Sequence, residues 1–170
     1  AVTTGSNNVA IGYASLDAET TQSGLTAVGY AALGANTGAS GVVAVGYRAL
    51  QSNTTGNNNV AVGYDAGANI TTGGQNTVVG TLALDANTTA NSNVAIGYQA
   101  LTANTTGASN VALGVRALAA NVDTNNSTAV GFDALRYNTA ADNTAVGGGS
   151  LDANTTGASN TAVGKDALGA

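Results

Sequence analysis

The chain has no proline, cysteine, methionine, tryptophan or histidine in its 170 residues. Each absence excludes something. Without cysteine there is no disulfide framework and no thiolate nucleophile, and nothing marks a redox compartment. Without histidine the commonest acid–base group is missing. Aromatic residues are only 4% and charged residues 8% of the chain, both low for a globular protein. Low charge without proline also departs from the usual composition of a disordered segment. The only cations are Arg48, Arg116, Arg136 and Lys165, and the isoelectric point is about 4.1, so a nucleic-acid partner is not expected. No apolar run is long enough to insert in a membrane, and no charged-then-apolar leader opens the sequence. The nine acidic residues are scattered and the calcium nonapeptide Gly-Gly-x-Gly-x-Asp is missing, so neither a metal nor any other cofactor is expected, and the chain reads as a non-enzyme.

What is present is a repeat. Glycine returns at Gly12, Gly29, Gly46, Gly63, Gly80, Gly97, Gly114, Gly131, Gly147 and Gly164. The spacing is 17 residues throughout, except for 16 between Gly131 and Gly147. Such a period describes one structural unit stacked about ten times. Before each glycine stands an aliphatic residue: Ile11, Val28, Val45, Val62, Val79, Ile96, Leu113, Val130, Val146 or Val163. One step back lies an alanine column, Ala10, Ala27, Ala44, Ala61, Ala95, Ala112 and Ala129, with Val78 in the place of one member. Another step back the residue is Val or Thr. Period two makes this a short strand, with the Val/Thr and aliphatic columns on one face and alanine on the other. The glycine then bends the chain.

Four residues after the glycine comes leucine: Leu16, Leu33, Leu50, Leu84, Leu101, Leu118, Leu135, Leu151 and Leu168, with Gly67 the one gap. The pattern predicts two β-faces per coil, one led by Val/Ile and one by Leu, joined by Asn/Thr/Gly turns. The core is then expected at the pre-glycine aliphatics and the leucines. A helix is excluded because apolar residues do not recur at three and four, and Gly, Asn and Thr are too frequent. The class expected is all-β: a parallel β-solenoid, or β-roll, of about ten 17-residue coils over residues 1–170.

So thin a coil buries little, and alanine is a poor strand former. The alanine stripe is therefore read as a subunit interface, where another backbone approaches closely, in preference to the simpler reading that alanine fits a narrow interior. The array begins and ends without a polar capping repeat, so it is expected to belong to a longer fibre or to stack end to end.

The residue after the glycine is aromatic in six coils: Tyr13, Tyr30, Tyr47, Tyr64, Tyr98 and Phe132. Such a stripe could stack on sugar rings, but a structural ladder is the preferred reading. A turn column of Thr20, Thr37, Thr54, Thr71, Thr88, Thr105, Thr139 and Thr155 raises ice binding as an alternative, although paired threonines point to opposite faces. Two asparagine columns, one through Asn53, Asn87 and Asn104 and one through Asn59, Asn76 and Asn93, are expected to hydrogen-bond along the axis. Asn53, Asn87, Asn104 and Asn154 also read as glycosylation sequons. Arg48 with Asp65, and Arg116 with Asp133, share a phase in consecutive coils and are expected to pair on the surface. The short coil between Gly131 and Gly147, followed by Gly148 and Gly149, is expected to be the irregular one.

The string Asn-Val-Ala-Ile-Gly-Tyr-x-Ala-Leu, from Asn93 to Leu101 and in part from Asn59 to Tyr64, resembles the head repeat of trimeric autotransporter adhesins. Similar repeats occur in phage tail-fibre shafts. The resemblance covers essentially the whole chain, although the family's own repeat is shorter than the 17 residues here. It implies a left-handed β-roll, three parallel chains about an axis, and an extracellular, cell-surface or virion location. The functional expectation is a structural or adhesive fibre segment whose partners are copies of itself and a host surface or glycan. A head-to-tail filament subunit and an ice binder are the alternatives.

Overall fold

A computed structural model describes residues 4–18 and 21–169 of the chain. It holds ten strands and, among the described residues, no helix. They are β1 (Val9–Ile11), β2 (Thr26–Val28), β3 (Val43–Val45), β4 (Val60–Val62), β5 (Thr77–Val79), β6 (Val94–Ile96), β7 (Val111–Leu113), β8 (Thr128–Val130), β9 (Thr144–Val146) and β10 (Thr161–Val163). All ten join one parallel sheet in chain order. Register is in phase throughout, for example Ala44↔Ala61 and Ala95↔Ala112. The protein is thus an all-β parallel solenoid. Thr20 of the turn column lies outside the described residues.

Each strand stops at the glycine for two reasons. Gly80 has φ +133°, a backbone region that residues with a Cβ rarely enter. A Cβ placed there would also stand 2.6 Å from the carbonyl oxygen of Gly97 in the next coil. Glycine sits on glycine along the whole column.

The strand faces are the reverse of the expectation. Alanine is the interior column: Ala27, Ala44, Ala61, Ala95, Ala112 and Ala129 are fully buried within the single chain, and only Ala10 of β1 is exposed. These residues are not a subunit interface. The pre-glycine aliphatics expected in the core lie outside it. Ile11, Val62, Val79, Leu113, Val146 and Val163 are exposed, and Val28, Val45, Ile96 and Val130 are half-buried. The physical reason is width. Once leucine enters the coil from the opposite wall, the remaining space is filled by a methyl group, and only in β5, which follows Gly67, does the larger Val78 fit there. The leucine half of the core stands where it was expected, with Leu33, Leu50, Leu84, Leu101, Leu118 and Leu135 fully buried and Leu16 and Leu151 nearly so; Leu168 is exposed.

The leucine wall is not a second β-face. The second and fourth residues after each glycine are left-handed, as at Arg48 (φ 54°) and Leu50 (φ 50°). Left-handed residues turn the chain, whereas strands need φ near −120°. The turn still carries a ladder: Leu33 N–H donates to Ala49 O (3.0 Å) and Leu50 N–H to Ala66 O (3.1 Å). A further ladder runs through the threonines, with Thr54 N–H donating to Thr71 O at 2.8 Å.

The rest of the interior is asparagine. Asn59, Asn76, Asn93 and Asn110 are fully buried or nearly so, and each clasps the next coil twice. Asn93 Oδ1 accepts from Asn110 N–H (2.9 Å), while Asn93 Nδ2 donates to Gly107 O (2.9 Å). The second column closes its own turn, as where Asn104 Nδ2 donates to Gly107 O at 2.9 Å. Amide-to-amide bonds along the axis link only some members, such as Asn121 Nδ2 to Asn104 Oδ1 (2.9 Å) and Asn76 Nδ2 to Asn59 Oδ1 (3.1 Å).

One coil departs from this plan and corrects itself. Where leucine is missing, a Cβ on Gly67 would stand 2.9 Å from Ile70 Cδ1. Ile70 occupies an asparagine position and fills the leucine's space from there. The 16-residue coil is regular in its strands, which pair Thr128↔Thr144. The deletion is absorbed in the loop: Asn138 Nδ2 donates to Ala140 O two residues on, not three. Gly149 (φ 66°) simply occupies a left-handed position filled elsewhere by Arg48 or Asp65.

Two predictions follow from this interior. Gly67→Leu alone overpacks and Ile70→Asn alone leaves a void. Combined they restore the plan of the other coils, so a double-mutant cycle by denaturant unfolding should give a coupling of about 1–3 kcal/mol. Independent effects that simply add would refute the exchange. Asn93→Ala leaves Asn110 N–H unpaired and Gly107 O with only its bond from Asn104 Nδ2, and should cost about 1–3 kcal/mol. Asn93→Leu, which copies buried Leu25 of the same column, should cost less.

Candidate interaction surfaces

Period two sends the first and third residue of every strand outward. Ten parallel strands therefore carry two adjacent columns of Val, Ile, Leu and Thr, with no charged residue in either. Exposure within them reaches 71% at Val163 and 60% at Ile11 in the end strands, and is 44% at Leu113 between them. At about 4.8 Å per strand the face is some 48 Å long. Sequence reasoning counted half of this face as core. The signal that was available is narrowness: a coil lined with leucine on one wall leaves little room on the other, and alanine fills it in every strand but β5, where Val78 does.

The aromatic column borders this face. Tyr13, Tyr30, Tyr47 and Tyr64 stack with ring centroids 5.5, 5.1 and 5.0 Å apart and planes within 14°. Each inner ring thus has a tyrosine on both faces, which leaves edges and hydroxyls for solvent and no flat platform for a sugar. Thr81 separates Tyr98 from this stack, Val115 separates Tyr98 from Phe132, and the Arg116 guanidinium lies 5.0 Å over the Phe132 ring.

Both charge pairs form. Arg116 donates from Nε and Nη2 to the two oxygens of Asp133, at 2.7 and 2.6 Å, and Arg136 approaches the same carboxylate at 3.5 Å. Arg48 Nε lies 3.4 Å from Asp65 Oδ1 and donates to Gln51 Oε1 at 2.6 Å. Among the described residues no three potential metal ligands gather, and no helix is long and apolar enough to cross a membrane.

The turn residues divide by depth. Asn53, Asn87 and Asn104 are fully buried, with their amides bonded to backbone carbonyls, so the folded chain offers no access to these sequons. Thr54 Oγ1 donates to Thr71 O (3.1 Å), Thr71 Oγ1 to Thr88 O (2.9 Å) and Thr105 Oγ1 to Val122 O (3.1 Å). The second threonine of each pair, such as Thr55, Thr72, Thr89 and Thr106, is exposed. That outer column is interrupted by Gly38 and Asp123. Beside it lies a groove of about 280 Å³ lined by Thr55, Asn57, Thr72, Gly74, Gln75 and Asn91, which sequence reasoning did not single out. Its trace in the sequence is Gly74, which stands in a column otherwise made of residues such as Ser40, Asn57, Asn91 and Asn125.

Comparison with protein-family models, curated proteins and solved structures gave no match.

If the tyrosine stack is structural, its members differ in their contribution. Tyr47 lies in two stacked pairs and Tyr98 in none, at similar exposure. Tyr47→Ala should therefore cost about 1–2 kcal/mol more than Tyr98→Ala in thermal or denaturant unfolding. Equal costs would show that the stack adds nothing to stability.

Proposed function

We propose that this chain is a non-enzymatic rod segment of a fibre, which associates side by side with copies of itself through the outer face of its sheet. The observation that carries the reading is that face: uncharged over ten strands, aliphatic throughout one column and valine or threonine in the other. Exposed apolar patches beyond a few hundred Å² mark interaction sites on soluble proteins, and this one is on the order of 500 Å² from strand spacing and width. The tyrosine stack lies along its border and widens it. The resemblance to trimeric adhesin heads adds that three parallel copies would share one axis, with the apolar faces turned inward. The rod then extends and presents its turns outward on a cell or virion surface.

Ice binding is less well supported. The first threonine of the pair spends its hydroxyl on the next coil's carbonyl at Thr54, Thr71 and Thr105, and the exposed column is broken.

The test is mass in solution with electron microscopy of the same sample. The native chain should be an oligomer of constant mass across dilution. The variant Val62→Lys/Val79→Lys/Ile96→Lys should be monomeric with an unchanged β-rich circular dichroism spectrum. A native monomer at high concentration would overturn the proposal.

A further inference from the structure

The groove beside Gly74 is local to one part of an otherwise periodic rod. Its neighbours along the axis carry asparagine, Asn57 one coil before and Asn91 one coil after. These amides do not rotate freely. Asn57 Oδ1 accepts from Ser40 N–H (2.8 Å) and Asn91 Oδ1 accepts from Gly74 N–H (2.7 Å). A main-chain N–H can only donate, so each amide is fixed with its oxygen toward the backbone and its NH₂ directed away. Gln75 Oε1 accepts from Ser92 Oγ at 3.3 Å, a hydroxyl that can also accept, so this contact orients Gln75 less strictly than the backbone fixes the two asparagines. The three NH₂ groups have no partner among the described residues. With the hydroxyls of Thr55 and Thr72 they make a groove that is rich in donors and carries no charge.

Gly74 lines this space without a side chain of its own, between the two asparagines. The corresponding residue is Asn125 farther along, where the flanking column residues are Ala108 and Ala141 and no pair of amides faces an empty place. A Cβ on Gly74 would approach Asn57 O to 2.9 Å, so the position also holds the backbone close.

Ordinary small-molecule pockets are larger and mostly apolar. At about 280 Å³ this one suits a single small ring, and its lining gives an apolar ligand nothing to bury against. An anion has no cation to meet in the lining, and the chain as a whole carries a net charge of −5. The ligand that fits is uncharged, ring-sized and dense in oxygen acceptors. We propose that the groove binds one ring of a neutral carbohydrate, with the amide NH₂ groups of Asn57, Gln75 and Asn91 donating to its hydroxyl and ring oxygens. The site lies on the turn edge and not on the outer sheet face, so side-by-side assembly leaves it open.

The experiment is a nitrogen-15 NMR titration of the full chain with glucose, galactose and N-acetylglucosamine in turn, into the tens of millimolar, where single-ring binding falls. The carboxamide signals of Asn57, Gln75 and Asn91 should shift saturably with at least one sugar, while that of Asn125 stays still. Thr72→Ala/Gln75→Ala changes two exposed side chains and no interior one. It should weaken binding at least tenfold and leave distant backbone signals in place. No saturable shift with any of the three sugars overturns the proposal. So do equal shifts at Asn125, or a response to sulfate in place of sugar. None of these outcomes bears on assembly, which is read by mass on a different face.

Discussion

The contact on which the structure depends is glycine against glycine. At each corner the backbone of one coil meets the carbonyl of the next so closely that a single Cβ would not fit, as at Gly80 over Gly97. That approach lets every coil stack in phase with its neighbour. The three-residue strands are far too short to persist alone, and they hold only because nine in-register pairings join the ten of them in succession. The tyrosine stacks at 5.0 to 5.5 Å and the Arg116–Asp133 pair inherit their spacing from the corner.

Close stacking also sets the interior. A coil this narrow admits methyl groups from the strand wall, leucine from the turn wall, and asparagine at the two ends of the loop. Asparagine is an unusual core residue, since an unpaired amide costs about 1–3 kcal/mol when buried. It is stable here because it meets both a donor and an acceptor of the adjacent coil, as Asn93 does with Asn110 N–H and Gly107 O. Where the column turns aliphatic, at fully buried Leu25 and Val42, the clasp lapses. Ile70 opposite Gly67 shows that occupied volume, and not residue identity, is what the interior requires.

The larger strand residues, with the exception of Val78, consequently face outward. The rod acquires three distinct sides: an apolar sheet face, an aromatic border and a polar turn edge. The first suits the proposed association between copies and the last suits a hydrogen-bonding ligand, and the two lie on separate sides of one repeat. The carbohydrate groove arises where the repeat is relaxed, at Gly74, and not where it is strict.

The period, the strand position, the corner glycines, the buried leucines and the cross-coil charge pairs were all legible in the amino-acid sequence, because each is a repeated local choice written at fixed spacing. The inside of the strand was not. Alternation separates two faces of a strand without saying which one is enclosed, and valine beside alanine points the wrong way when hydrophobicity alone decides. The leucine turn was also illegible as a turn, since nothing in the residue type announces φ near +50° at Leu50 or Leu101. The groove needed three dimensions too, for Asn57, Gly74 and Asn91 are 17 residues apart and meet only when coils stack. Sequence determined the repeat and its corners. Tertiary structure decided which side of each coil faces inward, because the width of a closed coil is a property of the whole turn and of no residue within it.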